Sequence, residues 1–149
     1  MKIVICGSMR LSKKMLKIKE ELTKLGHFVI VPRHTEKYVV LGTSDHMHNE
    51  SVKNKINHDL IRQYFDEIEK SDAVLIVNDT LKDVPGYIGG NAFLEMGFAH
   101  VLNKKVYLLN PIPEMSYSDE IVAMQPIILN GNITKIAEAF GVAKEDLIK

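Results

Sequence analysis

Apolar positions along this chain alternate between short unbroken runs and longer stretches with helical spacing. Ile3-Val4-Ile5-Cys6 is a β-branched run that reads as a buried strand closed by Gly7. From residue 10 to 25, Leu11, Met15, Leu16, Ile18, Leu22 and Leu25 recur every three or four positions, and Gly26 supplies a helix stop. Residues 28–31 form a second strand, ended by Pro32. Residues 33–50 are polar and aperiodic, an excursion over the site with a helical turn near 36–41. Residues 52–70 carry Ile56, Leu60, Ile61, Tyr64, Phe65 and Ile68 on one helical stripe. Residues 73–77 are a third buried strand, and a long loop over 78–89 precedes an almost wholly apolar helix. Strands over 105–109 and 127–129 follow, with helices over 119–124 and 132–140 and a last turn over 144–148.

Strands that alternate with helices predict βαβ units and a parallel sheet. The fold class expected is α/β: a flavodoxin/Rossmann-like, doubly wound, five-stranded parallel sheet in order 2-1-3-4-5, helices on both faces, in one domain over 1–149. Ligands of such sheets bind beyond the carboxyl ends of the strands at the switch point, here between the first and third strands. The loops that meet there are 7–10 and 78–90.

Composition narrows the partners. A chain of 149 residues with zero formal net charge offers no bulk attraction for nucleic acid or an anionic membrane. Trp is absent, so stacking platforms for single strands are scarce. No apolar run is long enough to span a bilayer, and the opening strand is too short for a signal segment. The single cysteine, Cys6, excludes an internal disulfide and suits a reducing compartment; the location expected is cytoplasmic.

Chemistry concentrates at two turns. Gly89-Gly90-Asn91 leads into the apolar helix, which carries one carboxylate, Glu95. A carboxylate among apolar residues is costly without a partner or a role. Glu95 reads as a nucleophile, a general acid or base, or a sugar-orienting acceptor; the plainer reading is a helix Glu paired with a Lys. Gly7-Ser8-Met9-Arg10 lies at a strand-to-helix turn, where free amides, a hydroxyl and a guanidinium can cradle a phosphate or sugar hydroxyl. It also reads as an ordinary turn with a capping Ser, and it is neither a P-loop nor a Rossmann fingerprint. Asp79 follows the third strand on the crevice side, either as a ligand or as a loop residue that bonds its own backbone. Asn78 and Asn91 are turn residues able to bond a base or sugar. Asp72 reads as a boundary residue, Cys6 as an inert core thiol, His100 as structural and His58-Asp59 as a polar helix face. Asp45-His46-Met47-His48 has only weak metal-ligand spacing.

Ser71-Asp72-Ala73-Val74-Leu75-Ile76-Val77, Leu94-Glu95-Met96-Gly97-Phe98-Ala99 and Lys104-Lys105-Val106-Tyr107-Leu108-Leu109 resemble the nucleoside 2-deoxyribosyltransferase superfamily. Gly7-Ser8-Met9-Arg10 is more similar to its nucleoside 5′-monophosphate N-glycosidase branch. The resemblance implies the same flavodoxin-like fold, cleavage or transfer at an N-glycosidic bond, and Glu95 as nucleophile. It further implies Gly7, Ser8 and Arg10 around the 5′ phosphate, and Asp79, Gly89, Gly90 and Asn91 around the sugar or base. No metal or organic cofactor is expected; the partner is a small nucleoside or nucleotide, and the chain is expected to form a homo-oligomer. Two acids of the transferases are replaced: Tyr64 stands where one lies before the third strand, and Gly89-Gly90-Asn91 where the other precedes the Glu. A partial likeness links Gly89-Gly90-Asn91-Ala92-x-x-Glu95 to cytokinin-type nucleoside monophosphate phosphoribohydrolases. The lost acids leave open a non-catalytic nucleotide sensor of the same fold.

Overall fold

The computed structural model describes residues 1–41, 56 and 59–136. Strand β1 (Lys2–Cys6) leads through a 3-10 turn (Met9–Leu11) into α1 (Ser12–Lys24). Then come β2 (Phe28–Ile30), α2 (Thr35–Leu41), α3 (Leu60–Glu69), β3 (Ala73–Ile76), α4 (Gly90–Val101), β4 (Lys105–Leu108), α5 (Ser118–Ala123) and β5 (Ile127–Ile128). The five strands form one sheet in order β2-β1-β3-β4-β5, every pair parallel, as the alternation of elements predicts.

Each strand is apolar on both sides because both faces are covered. Ile3 and Ile5 of β1 point into a core shared with Met15, Ile18 and Leu22 of α1. Val4 and Cys6 point the other way, among Ile68 of α3, Ala92, Met96 and Ala99 of α4 and Ile121 of α5. The period-two alternation of a strand thus commits Cys6 to the layer that carries Glu95.

Element edges differ from the sequence pattern for local reasons. Ser8 Oγ accepts from the Arg10 N–H at 3.2 Å, and Leu11 N–H bonds Ser8 O at 2.8 Å, so the first turn is 3-10 and α1 begins at Ser12. Gly26, at φ 94°, ends α1, with the His27 N–H returning to Leu22 O. Within the helix expected over 52–70, α3 begins at Leu60, directly after Asp59, whose left-handed φ of 49° no helix interior accepts. Asp59 also pairs with Arg62 at 3.0 Å. The strands stop one residue early, although Val77, Leu109 and Leu129 each still donate one bond to a neighbouring strand residue. The Asp45–His48 cluster, His58, the later part of the helix begun near 132 and the turn over 144–148 lie outside the described residues.

The carboxyl ends of β3 and β4 are locked together. Asn78, fully buried, accepts from Asn110 N–H at 2.9 Å and donates to Asn110 O at 2.9 Å and Pro111 O at 3.2 Å. The Asn110 amide returns a 2.9 Å bond to Asn78 O. Asn78 is therefore committed to the scaffold rather than to a base or sugar. Gly86 packs on this clamp: at φ 69°, a Cβ there would stand 2.7 Å from Pro111 O. The loop that delivers Tyr87 to Gly90 is seated by that contact.

Replacing Asn78 with Ala strands several buried polar groups, each costing about 1–3 kcal/mol. Asn78→Ala is expected to lower unfolding free energy by about 2–4 kcal/mol in chemical denaturation. A loss under about 0.5 kcal/mol would show that the clamp does not hold the edge.

Candidate active site

A cleft of about 840 Å³ opens at the carboxyl end of β1, between the Gly7–Arg10 turn, the residues after β2, and helices α3 and α4. Gly7, Ser8, Arg10, Gly89, Gly90, Asn91 and Glu95 all line it. Residues eighty positions apart in sequence meet there because the carboxyl ends of parallel strands share one edge.

The first turn presents donors. Ser8 uses its oxygen to cap Arg10 N–H, which leaves the hydroxyl proton to donate outward. Arg10 is exposed at the cleft mouth. Gly7 is a close-packed position: a Cβ would lie 3.2 Å from both Met15 Sδ and Val77 O, so the turn stays tight against β3 and α1. Opposite, Gly89 is the N-cap of α4 in extended conformation. A Cβ on Gly90 would meet nothing within 4 Å, so its missing side chain leaves cleft space beside the backbone. The first amides of α4 and the positive end of its dipole face that space. Tyr117 steadies this end: its hydroxyl donates to Ile88 O, and its ring stacks on Phe93 with centroids 4.5 Å apart.

Glu95 is half-buried, one turn and a half into α4. The Cys6 thiol is fully buried near Glu95. Burial, then the charge of the nearby Glu95, push the Cys6 thiol well above its ordinary range, so it stays neutral. Tyr64, from α3, also lines the cleft, and its hydroxyl donates to Ile5 O. Burial raises Tyr64 well above the usual phenol range, and the nearby Cys6, Glu95 and Glu67 raise it further.

Asp79 does not join this group. Its carboxylate pairs with Lys14 of α1 at 2.5 Å and accepts from Thr80 N–H at 3.0 Å, and it lies outside the cleft lining. With Asn78 turned inward to its clamp, the next residue turns toward the α1 layer, and a lysine is waiting there. Asp79 anchors the loop to α1, away from the cleft lining.

Several lining residues escape sequence reasoning. Arg33 and His34 follow β2 on the same carboxyl edge, and Arg33 Nη1 donates to Gln63 Oε1 at 3.2 Å. Their signal was position alone: they follow Pro32 directly after the second strand. Lys82 sits 5.4 Å from the Tyr87 ring centroid, at a reversal where Lys82 and Asp83 are both left-handed. Tyr64 shares the inner stripe of its helix with Ile68 and reads from spacing as core. Asp72 bonds Lys2 N–H at 2.7 Å at the amino end of the sheet, and His100 is exposed, so neither is at the cleft. Among the described residues no group of three or more His, Cys, Asp and Glu is placed to hold a metal ion, and no helix is long and apolar enough to cross a membrane.

The Lys14 hydrogen bond leads the effects on Asp79 and holds its carboxyl below the usual range against a smaller opposing push from burial; Thr80 N–H and the Lys14 charge add to the lowering. A carboxyl with a depressed folded-state pKa stabilises the fold above its unfolded value of about 3.9 and loses that contribution as pH falls through the folded value. The pair is partly exposed, so the effect is small. Asp79→Asn is expected to cost under about 1 kcal/mol at pH 7. Its melting temperature should converge with wild type as pH drops below about 3.9, and a gap that widens on acidification would contradict the assignment.

No protein-family model and no curated protein matches the chain. Among solved structures, it is similar to a 2-deoxyribosyltransferase from the psychrotolerant bacterium Bacillus psychrosaccharolyticus. The likeness has 24% sequence identity and a TM-score of 0.43, over 72% of this chain and 71% of that one.

Proposed function

We propose that this protein cleaves or transfers the N-glycosidic bond of a nucleoside or nucleoside 5′-monophosphate, as a member of the nucleoside 2-deoxyribosyltransferase superfamily. The observation that carries the reading is a half-buried carboxylate, Glu95, in a cleft whose other wall offers Ser8 and Arg10. Such a cleft fits a sugar between a reacting carboxylate and an anion site. A Glu95 oxygen attacks C1′ as the C1′–N bond breaks, and the bonding pair leaves with the base. Charge at the oxocarbenium-like transition state is offset by the carboxylate, which then holds the sugar as an ester. Water releases the sugar, or an acceptor base takes it. The Ser8 hydroxyl, the Arg10 guanidinium and the Gly7 turn hold the phosphate, and Gly89, Gly90 and Asn91 position the sugar or base. The reaction as written needs no metal or organic cofactor. A homo-oligomer, a cytoplasmic location and a single catalytic domain belong to the same proposal.

One observation favours a second reading. Tyr64 stands where the transferases carry an acid, and its proton is given to Ile5 O, so it does not protonate a leaving base. A nucleotide sensor without turnover is consistent with that arrangement.

Base release, followed by chromatography over a panel of nucleosides and 5′-monophosphates with and without an acceptor base, separates the two. Wild type is expected to turn over repeatedly, and Glu95→Gln, which keeps shape and removes charge, to lower kcat by roughly a hundredfold or more. Full activity in Glu95→Gln would sink the role of Glu95, and tight nucleotide binding with no release would establish the sensor. Arg10→Ala is expected to raise KM for 5′-monophosphates about tenfold or more while leaving nucleosides within about twofold. Equal effects on both substrate classes would remove Arg10 from the phosphate site.

A further inference from the structure

The loop that follows β3 turns back on itself over four residues. Val84 N–H bonds Leu81 O at 2.9 Å and Leu81 N–H bonds Val84 O at 3.3 Å, so Leu81 and Val84 pair as an isolated antiparallel bridge. The two residues between them, Lys82 at φ 52° and Asp83 at φ 59°, are both left-handed. Two-residue reversals of this hand favour Asn, Asp or Gly first and Gly second. Lys82 and Asp83 follow neither preference, and a lysine gains nothing from the local side-chain bonding that lets Asn or Asp tolerate the left-handed region. Strain of this kind persists where the surrounding structure over-determines it, and it gathers at ligand sites. Here its result is an ammonium in the cleft: Lys82 lines the cavity, with Nζ 5.4 Å from the centroid of the Tyr87 ring. Tyr87 lines it too and lies against the entrance of α4, where a Cβ on Gly89 would stand 3.3 Å from Tyr87 Cε1.

The loop carrying Lys82 borders the turn carrying Arg10. β1 and β3 are paired neighbours, so the segments that leave their carboxyl ends start side by side. A Cβ on Gly7 would stand 3.2 Å from Val77 O, and Asp79 is bound to Lys14 at 2.5 Å. Lys14 lies four residues after Arg10, and Lys82 three residues after Asp79. Both Arg10 and Lys82 line the cavity, and among the described residues the acids that line it, Asp66, Glu67 and Glu95, all belong to α3 and α4. We propose that Lys82 is a second cationic contact for the anionic end of the ligand, presented beside Arg10 by a strained turn and steadied on the Tyr87 ring. An aromatic face holds an ammonium in place without neutralising it, so the charge remains for a phosphate. The turn fixes where Lys82 leaves the backbone, so less freedom is lost when an anion arrives. The inference rests on the reading of the cleft as a nucleotide site, and it narrows the ligand class to nucleotides over nucleosides.

Equilibrium binding tests this without turnover. Adenosine, guanosine, cytidine, thymidine and their 5′-monophosphates are titrated calorimetrically into Glu95→Gln and into the same protein carrying Lys82→Ala, Lys82→Arg or Lys82→Gly. Lys82→Ala is expected to weaken binding of the 5′-monophosphates about fivefold or more and to leave the nucleosides within about twofold. Lys82→Arg, which keeps the charge, should stay within about threefold of the lysine protein. Lys82→Gly should lose the same affinity as Lys82→Ala, yet melt at the same temperature or up to about 3 °C higher, because glycine takes the left-handed turn freely. Unchanged monophosphate affinity in Lys82→Ala overturns the inference, as do equal losses for nucleosides and monophosphates, or a parent protein that binds no monophosphate more tightly than its nucleoside. Melting of Lys82→Gly more than about 3 °C below its parent also overturns it, since the lysine would then hold the turn rather than the ligand. Base release by wild type with unchanged monophosphate affinity in Lys82→Ala removes Lys82 and leaves the enzymatic reading standing. A selective loss of monophosphate affinity in a protein that releases no base supports the anion contact and removes the enzymatic reading.

Discussion

The cleft depends on a mismatch in strand length: β1 continues two residues beyond its pairing with β2 while staying paired with β3. A flush edge would have used every β1 carbonyl in the ladder and closed the space that Tyr64 now crosses. The overhang instead leaves a gap bounded by the Gly7 turn, the Pro32–His34 segment and α3. It also leaves one carbonyl that only a side chain can satisfy. The hydrogen bond from Tyr64 to Ile5 O therefore joins sheet, helix and cleft floor in one contact. Because the pleat alternates, the same strand end that seats Tyr64 aims Cys6 at the helix carrying Glu95.

Rigid elements hold the chemistry on the other side. The Asn78–Asn110 clamp fixes the ends of β3 and β4, Gly86 packs on the clamp, and Tyr117 ties Ile88 to the entrance of α4. Glu95 thus projects from a helix whose first turn is anchored twice. The cleft sets one carboxylate, Glu95 on α4, apart from the donors Ser8 and Arg10 on the turn after β1. That separation suits a ligand with a neutral sugar and an anionic end.

The sheet order, its all-parallel pairing and the helices on both faces were legible in the sequence, because buried parallel strands leave short apolar runs and amphipathic helices leave stripes. The glycine turns and Glu95 were legible as well, since topology alone carries 7–10 and 89–95 to one edge. Asp79 misled because strand-end position does not say which way a side chain turns; Lys14, sixty-five residues earlier, decides that. Tyr64 was hidden for a related reason. Helical spacing marks an inward-facing position but does not distinguish a core ring from one that reaches an orphan carbonyl. That Cys6 packs on the helix carrying Glu95 depends on the register of two strands and the seating of α4, neither of which a single sequence states.

The most direct test of the account is to trap the reaction on the enzyme. Wild type mixed with a nucleoside 5′-monophosphate that it cleaves, quenched in acid within the first turnovers and digested, should yield a peptide carrying the mass of the sugar phosphate on Glu95. An adduct on any other residue, or base release by an enzyme that shows no adduct under single-turnover conditions, would contradict a nucleophilic Glu95.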